Sequence, residues 1–200
     1  AYEIVYRDWS SDVCSSDLNN SADAGHSEGF SASVGYAFNF SDDHRKNVTR
    51  FTALVGYAMQ NQKFVFRDGF QTIPAIGSFP DLRSSYDMEL SMPFIGAELY
   101  SRFADVHSIE LNAQISKGTY NGTGRWNLRT DFAHPVSFKQ EADGHGFLVG
   151  AKYGWNIYPR TQFTLATNFN YFKATDGTDI VYLANGTTQP GGFREARFMS

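Results

Sequence analysis

A carboxylate beside an imidazole orients the ring and favours its charged form, and the ring can then take a proton from water. The chain has five histidines, and two of them are candidates for this chemistry: His134 in Thr130-Asp131-Phe132-Ala133-His134-Pro135 and His145 in Asp143-Gly144-His145. On a regular strand the i, i+2 spacing of Asp143 and His145 places both on one face. The i, i+3 spacing of Asp131 and His134 places them on opposite faces, so they cooperate only across a bend or bulge. The single cysteine, Cys14, excludes an intrachain disulfide and any multi-cysteine metal site.

The elements that must position these residues follow from composition and periodicity. Two hundred residues suit one domain, 1–200. With 42% hydrophobic, 16% aromatic and 19% charged residues, against roughly 25% charged in ordinary globular chains, the chain is neither disordered nor highly charged. A net charge of −4 leaves no basic footprint for a phosphate backbone, so nucleic acid is not an expected partner. No run approaches the ~18 apolar residues of a transmembrane helix.

Alternation dominates instead. Phe30, Ala32, Val34, Tyr36, Phe38 and Phe40 share one parity and Ser31, Ser33, Gly35 and Asn39 the other. The same pattern recurs in Phe51–Met59, Ile109–Ser116, Phe147–Ile157 and Phe163–Tyr171. Period two of this kind predicts strands with one apolar and one polar face. In Ser85–Arg102 the apolar parity changes between Met92 and Ile95, which predicts a phase slip at Pro93. Connections at Ser41–Asn47, Ala104–His107 and Tyr158–Thr161 are short. Those at Asp68–Ser84, Asn121–Pro135 and Thr175–Gly192 read as long loops.

A soluble antiparallel sandwich or barrel also alternates, with its apolar face inward. A transmembrane β-barrel turns that face to lipid, keeps a polar lumen, carries aromatic girdles and has turns at one rim and loops at the other, as this pattern does. A soluble core could not bury the polar positions of several strands without many unsatisfied groups. The reading is therefore an all-β, antiparallel transmembrane β-barrel in the bacterial outer membrane. Six strand patterns are well marked, with a further one near Tyr2–Arg7 and a remnant at Phe193–Ser200, which predicts part of a larger barrel.

The strings Phe66-Arg67-Asp68-Gly69-Phe70, Ile76-Gly77-Ser78-Phe79-Pro80, Ser85-Tyr86 and Met92-Pro93-Phe94-Ile95-Gly96, in that order, resemble the omptin family of bacterial outer-membrane proteases. The resemblance runs from about Gly29 to Gly177. It implies a ten-stranded barrel rising above the membrane, of which this chain lacks the first two or three strands and part of the last. It also implies an endopeptidase that cleaves near basic residues, a water nucleophile, no metal or other cofactor, and lipopolysaccharide as a partner beside the membrane lipid.

In that family two aspartates face an Asp–His couple across a groove. The resemblance implies Asp131 and His134 for the couple, with the changed spacing noted above, and Asp8 for one of the facing acids; Tyr6 occupies the place of the other. Counting forward from Glu110, Asn112 and Gln114 places His134 inward and Asp131 outward. A plain loop histidine before proline is the competing reading of His134. Asp143 and His145 share the outward parity of Phe147 and Val149. Arg7–Leu18, RDWSSDVCSSDL, resembles translated sequencing-adapter read-through, which would strip Asp8, Trp9 and Cys14 of meaning. Asp87 and Glu89, read as inward at the rim, would bind a cationic peptide. Glu98, Tyr100, Glu110 and Lys152 fall on the lumen face, where charge pairs fill a small barrel. A non-enzymatic barrel of the same fold, serving as adhesin, pore or structural protein, is the alternative function.

Overall fold

The computed structural model describes residues 17–21, 24–42, 47–73, 77–158 and 160–199; the readings on Asp8, Trp9, Cys14 and Tyr2–Arg7 lie outside them. Among the described residues there are eight strands and no helix: β1 (Asp17–Ser21), β2 (His26–Asp42), β3 (Asn47–Ile73), β4 (Gly77–Phe103), β5 (His107–Arg125), β6 (Phe138–Tyr158), β7 (Thr161–Tyr182) and β8 (Thr188–Met199). Consecutive strands pair antiparallel from β2 to β8. β1 and β2 both pair with β3, β2 along Asn47–Lys63 and β1 along Arg67–Ile73, so together they fill one place in the sheet. Among the described residues β2 and β8 are edges.

The β4–β5 connection is a tight turn, with Ala104 and Asp105 in the left-handed region (φ 51° and 62°). Two of the three expected loops are largely strand. β3 and β4 continue to Ile73 and from Gly77, and β7 and β8 turn within Leu183–Thr187. The prolines and glycines that suggested loops are accommodated locally. Pro80 sits in the bulge between the pairs Arg67–Arg83 and Gly69–Phe79, and Pro190 lies on edge strand β8. Only the β5–β6 connection, residues 126–137, remains a long loop.

The phase slip expected at Pro93 is absent. The β3–β4 register runs unbroken from Ala58–Met92 through Tyr57–Pro93 to Gly56–Phe94. What changes along β4 is the hydrophobic face. Tyr86, Met88, Leu90 and Phe94 are buried, and Glu98 and Tyr100 follow them on the same side, while Ile95 and Leu99 are exposed on the other. One strand thus crosses two environments. Toward the short turns its apolar residues face outward, and toward the loop end they face inward.

The sheet is curved, because Tyr120 of β5 reaches Phe193 and Phe198 of β8, three strands away, with ring centroids 5.4 and 5.6 Å apart. The concave side of the loop half is an apolar core built from Tyr86, Met88, Leu90, Tyr120, Phe138, Ala142, Phe172, Ala174, Val181 and Ala196. The polar or small inner face expected through several strands gives way there to apolar residues. The rings have room because their neighbours lack side chains: a Cβ on Gly122 would collide with the Tyr86 hydroxyl, and one on Gly124 with the Phe138 ring.

In the turn half the concave side is polar, with Glu98, Asn112, Gly150 and Asn168 adjacent across β4–β7. Lys152 pairs with Glu110 (3.5 Å) and Arg50 with Glu98 (3.6 Å), as lumen charge pairs do. The convex side carries the apolar band. Val34, Val55, Ile95, Ile115 and Phe147 follow one another across five strands, 70%, 55%, 58%, 61% and 42% exposed. From Phe147 to Ile157 the band spans eleven residues of a tilted strand, roughly 25 Å of height, the thickness of a barrel's lipid-facing belt. A cavity of about 470 Å³ lies between the polar floor and the aromatic core, lined in part by Gln62, Gln114, Ser116, Asn170 and Phe198.

Candidate functional site

The loop carrying Asp131 and His134 is held to the β7–β8 turn by backbone bonds. The Ala133 amide donates to the Tyr182 carbonyl (2.8 Å) and the Ala184 amide to the Asp131 carbonyl (3.0 Å). Within that frame Asp131 does not meet His134. Its carboxylate accepts both Nε of Arg129 (2.9 Å) and an Nη of Arg129 (2.7 Å), a fork that matches guanidinium to carboxylate. The Arg129 guanidinium also lies 4.4 Å from the centre of the Phe132 ring. These bonds hold the Asp131 carboxyl down at about 2, and Asp131 reciprocally raises the Arg129 guanidinium. His134 is exposed and precedes a cis peptide bond to Pro135. Among the described residues no hydrogen bond links it to an acid. The pair is therefore brought into one loop but not into a general-base couple, because the Arg129 guanidinium two residues away holds the acid in a two-bond fork.

Asp143 and His145 share the convex face, as their spacing requires, and both are exposed. Asp87 and Glu89 are corrected: they stand on the convex side, opposite the buried Tyr86, Met88 and Leu90. The inward reading followed from the phase slip, and with continuous register odd positions of β4 face out along its whole length. Asp87 pairs there with Lys63 (3.6 Å) and with Arg125. Among the described residues no group of three His, Cys, Asp or Glu converges as a metal site.

Two arrangements escaped sequence reasoning. The first is a buried polar chain in the concave core. The Tyr86 hydroxyl donates to Gln140 Oε1 (2.8 Å), Tyr120 does so at 3.3 Å, and Gln140 Nε2 donates to Asp179 Oδ2 (3.2 Å). The shared parity of Tyr86, Met88 and Leu90 was a visible signal that this face is buried, but Gln140 and Asp179 carry no local one. The second is a basic row. Register sets Lys117, His145, Lys173 and Arg197 side by side across β5–β8 on the convex face, one step beyond Ile115, Phe147 and Tyr171. Lys173 and Arg197 share Glu195 (3.1 and 2.8 Å).

A curved antiparallel sheet with a lipid-facing belt outside and charge pairs inside is a transmembrane β-barrel of the bacterial outer membrane. Residues 5–199 match the Protochlamydia outer membrane protein family, Pom, and the chain belongs to that family. Among solved structures, the outer membrane protease OmpT from Escherichia coli aligns with a TM-score of 0.60 and 13% identity, over 86% of this chain and 59% of that one. At this identity the likeness is one of fold, and the chain spans well under two thirds of OmpT's length. No curated protein sequence matches.

Proposed function

We propose that the chain acts as a non-enzymatic outer-membrane barrel, closed on its concave side by the aromatic core and anchored through phosphates of outer-leaflet lipid. The observation that carries this reading is the Arg129–Asp131 fork, which occupies the acid a hydrolytic couple would need. Tyr86, Tyr120, Phe138, Phe172 and Phe198 fill the concave space that a substrate groove or pore would use. The test is hydrolysis of a dibasic fluorogenic peptide by refolded protein with lipopolysaccharide. Wild type and His134→Ala are both expected to match the protein-free rate. A rate well above it that His134→Ala abolishes would replace this reading with the second one.

That second reading is an endopeptidase acting on peptides with basic residues, with Asp131, His134 and Asp8 in catalytic roles. The fold likeness to an outer membrane protease favours it. It needs Asp131 to exchange Arg129 for His134.

The basic row supports lipopolysaccharide as partner, since cations at the upper limit of the apolar belt meet headgroup phosphates. Each such cation contributes on the order of 1 kcal/mol, so Lys117→Gln is expected to weaken binding of fluorescent lipopolysaccharide about fivefold. Added salt should weaken the wild type more than the variant. An unchanged affinity removes the row from the contact.

A further inference from the structure

The concave core contains one acid, Asp179, on β7 well beyond the lipid-facing belt and 5% exposed. Its Oδ2 accepts from Gln140, while Oδ1 is sealed from solvent with no hydrogen-bond partner. An ionised carboxylate placed so would carry charge on an oxygen that nothing solvates, a cost that a proton on that oxygen lowers by neutralising the group. We propose that Asp179 is a pH-sensitive lock on the aromatic core: neutral, it lets β7 pack against Gln140, Tyr86 and Tyr120, and ionised, it loosens that packing and opens the core to water.

The groups around it offer no counter-charge. In the loop half, the titratable groups of β4 and β5 on the concave face are the Tyr86 and Tyr120 phenols, both donating to Gln140, while Glu98, Tyr100 and Glu110 share that face in the turn half. From β6, Lys139 and Glu141 stand on the convex face, exposed. From β8, Glu195 and Arg197 are convex and paired, and Arg194 is exposed. On β7 itself Lys173 is paired with Glu195 and Asp176 is exposed in the bulge. In the rim loop Arg129 and Asp131 hold each other and His134 is exposed. From β3, Lys63 is convex and paired with Asp87.

Burial pushes the Asp179 carboxyl above the usual carboxylate range, and the bond from Gln140 offsets this only in part. The sign follows. Because the folded value is the higher one, the stabilisation is complete below the ordinary carboxylate value and is lost as pH rises through the raised value. The inference holds whether or not the barrel cuts peptides, and a failed peptidase assay leaves it intact.

Trp126 reports on the core directly, since its ring lies tilted against those of Phe66 and Phe138, with centroids 5.9 and 5.7 Å apart. In a Trp9→Phe, Trp155→Phe background, acrylamide quenching of Trp126 is expected to rise with pH when Asp179 is present and to stay level in Asp179→Asn. Asparagine keeps the bond from Gln140 without the charge, so its melting temperature should exceed the wild-type value by about 2–4 °C near pH 8 and match it near pH 4. Asp179→Leu should show the same level quenching. A pH response that persists in both variants, or a melting difference that does not change with pH, overturns the lock.

Discussion

Arginine in place of Leu111 is expected to destabilise the barrel in lipid by about 2–4 kcal/mol. Leu111 is 44% exposed on the convex face, and its neighbours across the sheet are Leu99 and Ala151. Two rows, those of Val149 and Phe147, separate it from the basic row at His145, which places it near mid-belt. A guanidinium there has neither water nor an anion to satisfy it, and its side chain must bend the bilayer or reach for the interface. The cost depends on depth. Arginine at His145, where the belt ends, is expected to change stability by no more than about 1 kcal/mol. Urea unfolding from vesicles, followed by the mobility difference between folded and unfolded barrel on gels, reads both. Equal costs at Leu111 and His145 would mean that the convex face is not in hydrocarbon, and the membrane orientation would be lost.

Tyr120→Ala is expected to cost still more, about 3–5 kcal/mol, the range for removing a large buried ring. Tyr120 is 1% exposed and touches Phe193 and Phe198 as well as Gln140, so its loss opens a void among β5, β6 and β8 and leaves Gln140 with one hydroxyl fewer. Tyr120→Phe keeps the ring and loses only the hydroxyl, about 1 kcal/mol. Tyr158→Ala, at a position 68% exposed near the short turns, serves as the control for a tyrosine without a core. The same unfolding assay ranks the three. If Tyr120→Ala costs no more than Tyr158→Ala, the concave core does not hold the loop half together.

Period-two alternation was enough to find most strands, because each residue reports its face through its own polarity. It failed where the environment changed along a strand. Around Pro93 the sequence reads as a slip, since apolar residues move from even to odd positions, and a proline supplies a ready cause. Continuous pairing with β3 shows that the backbone keeps its phase and the apolar side alone is exchanged. Sequence periodicity records which face is apolar; it does not record whether apolar means lipid or core. The Asp87 and Glu89 orientation fell with that one error. Long loops were overcalled for a related reason: Pro80 and Pro190 break strand patterns in isolation, but a bulge and an edge position accommodate both.

From the residues alone came the all-β class, the apolar belt, the short turns and the lumen-face placement of Glu98, Tyr100, Glu110 and Lys152, all of which depend on local alternation and on parity within one strand. The pairing register came only with the folded sheet: it aligned Lys117, His145, Lys173 and Arg197 and joined Tyr86 and Tyr120 to Asp179 through Gln140, while the fold of the β5–β6 loop gave Asp131 to Arg129 in preference to His134. These groupings draw partners from different strands or from a folded loop. Their proximity is set by backbone hydrogen bonds and curvature, about which no single stretch of side chains carries information.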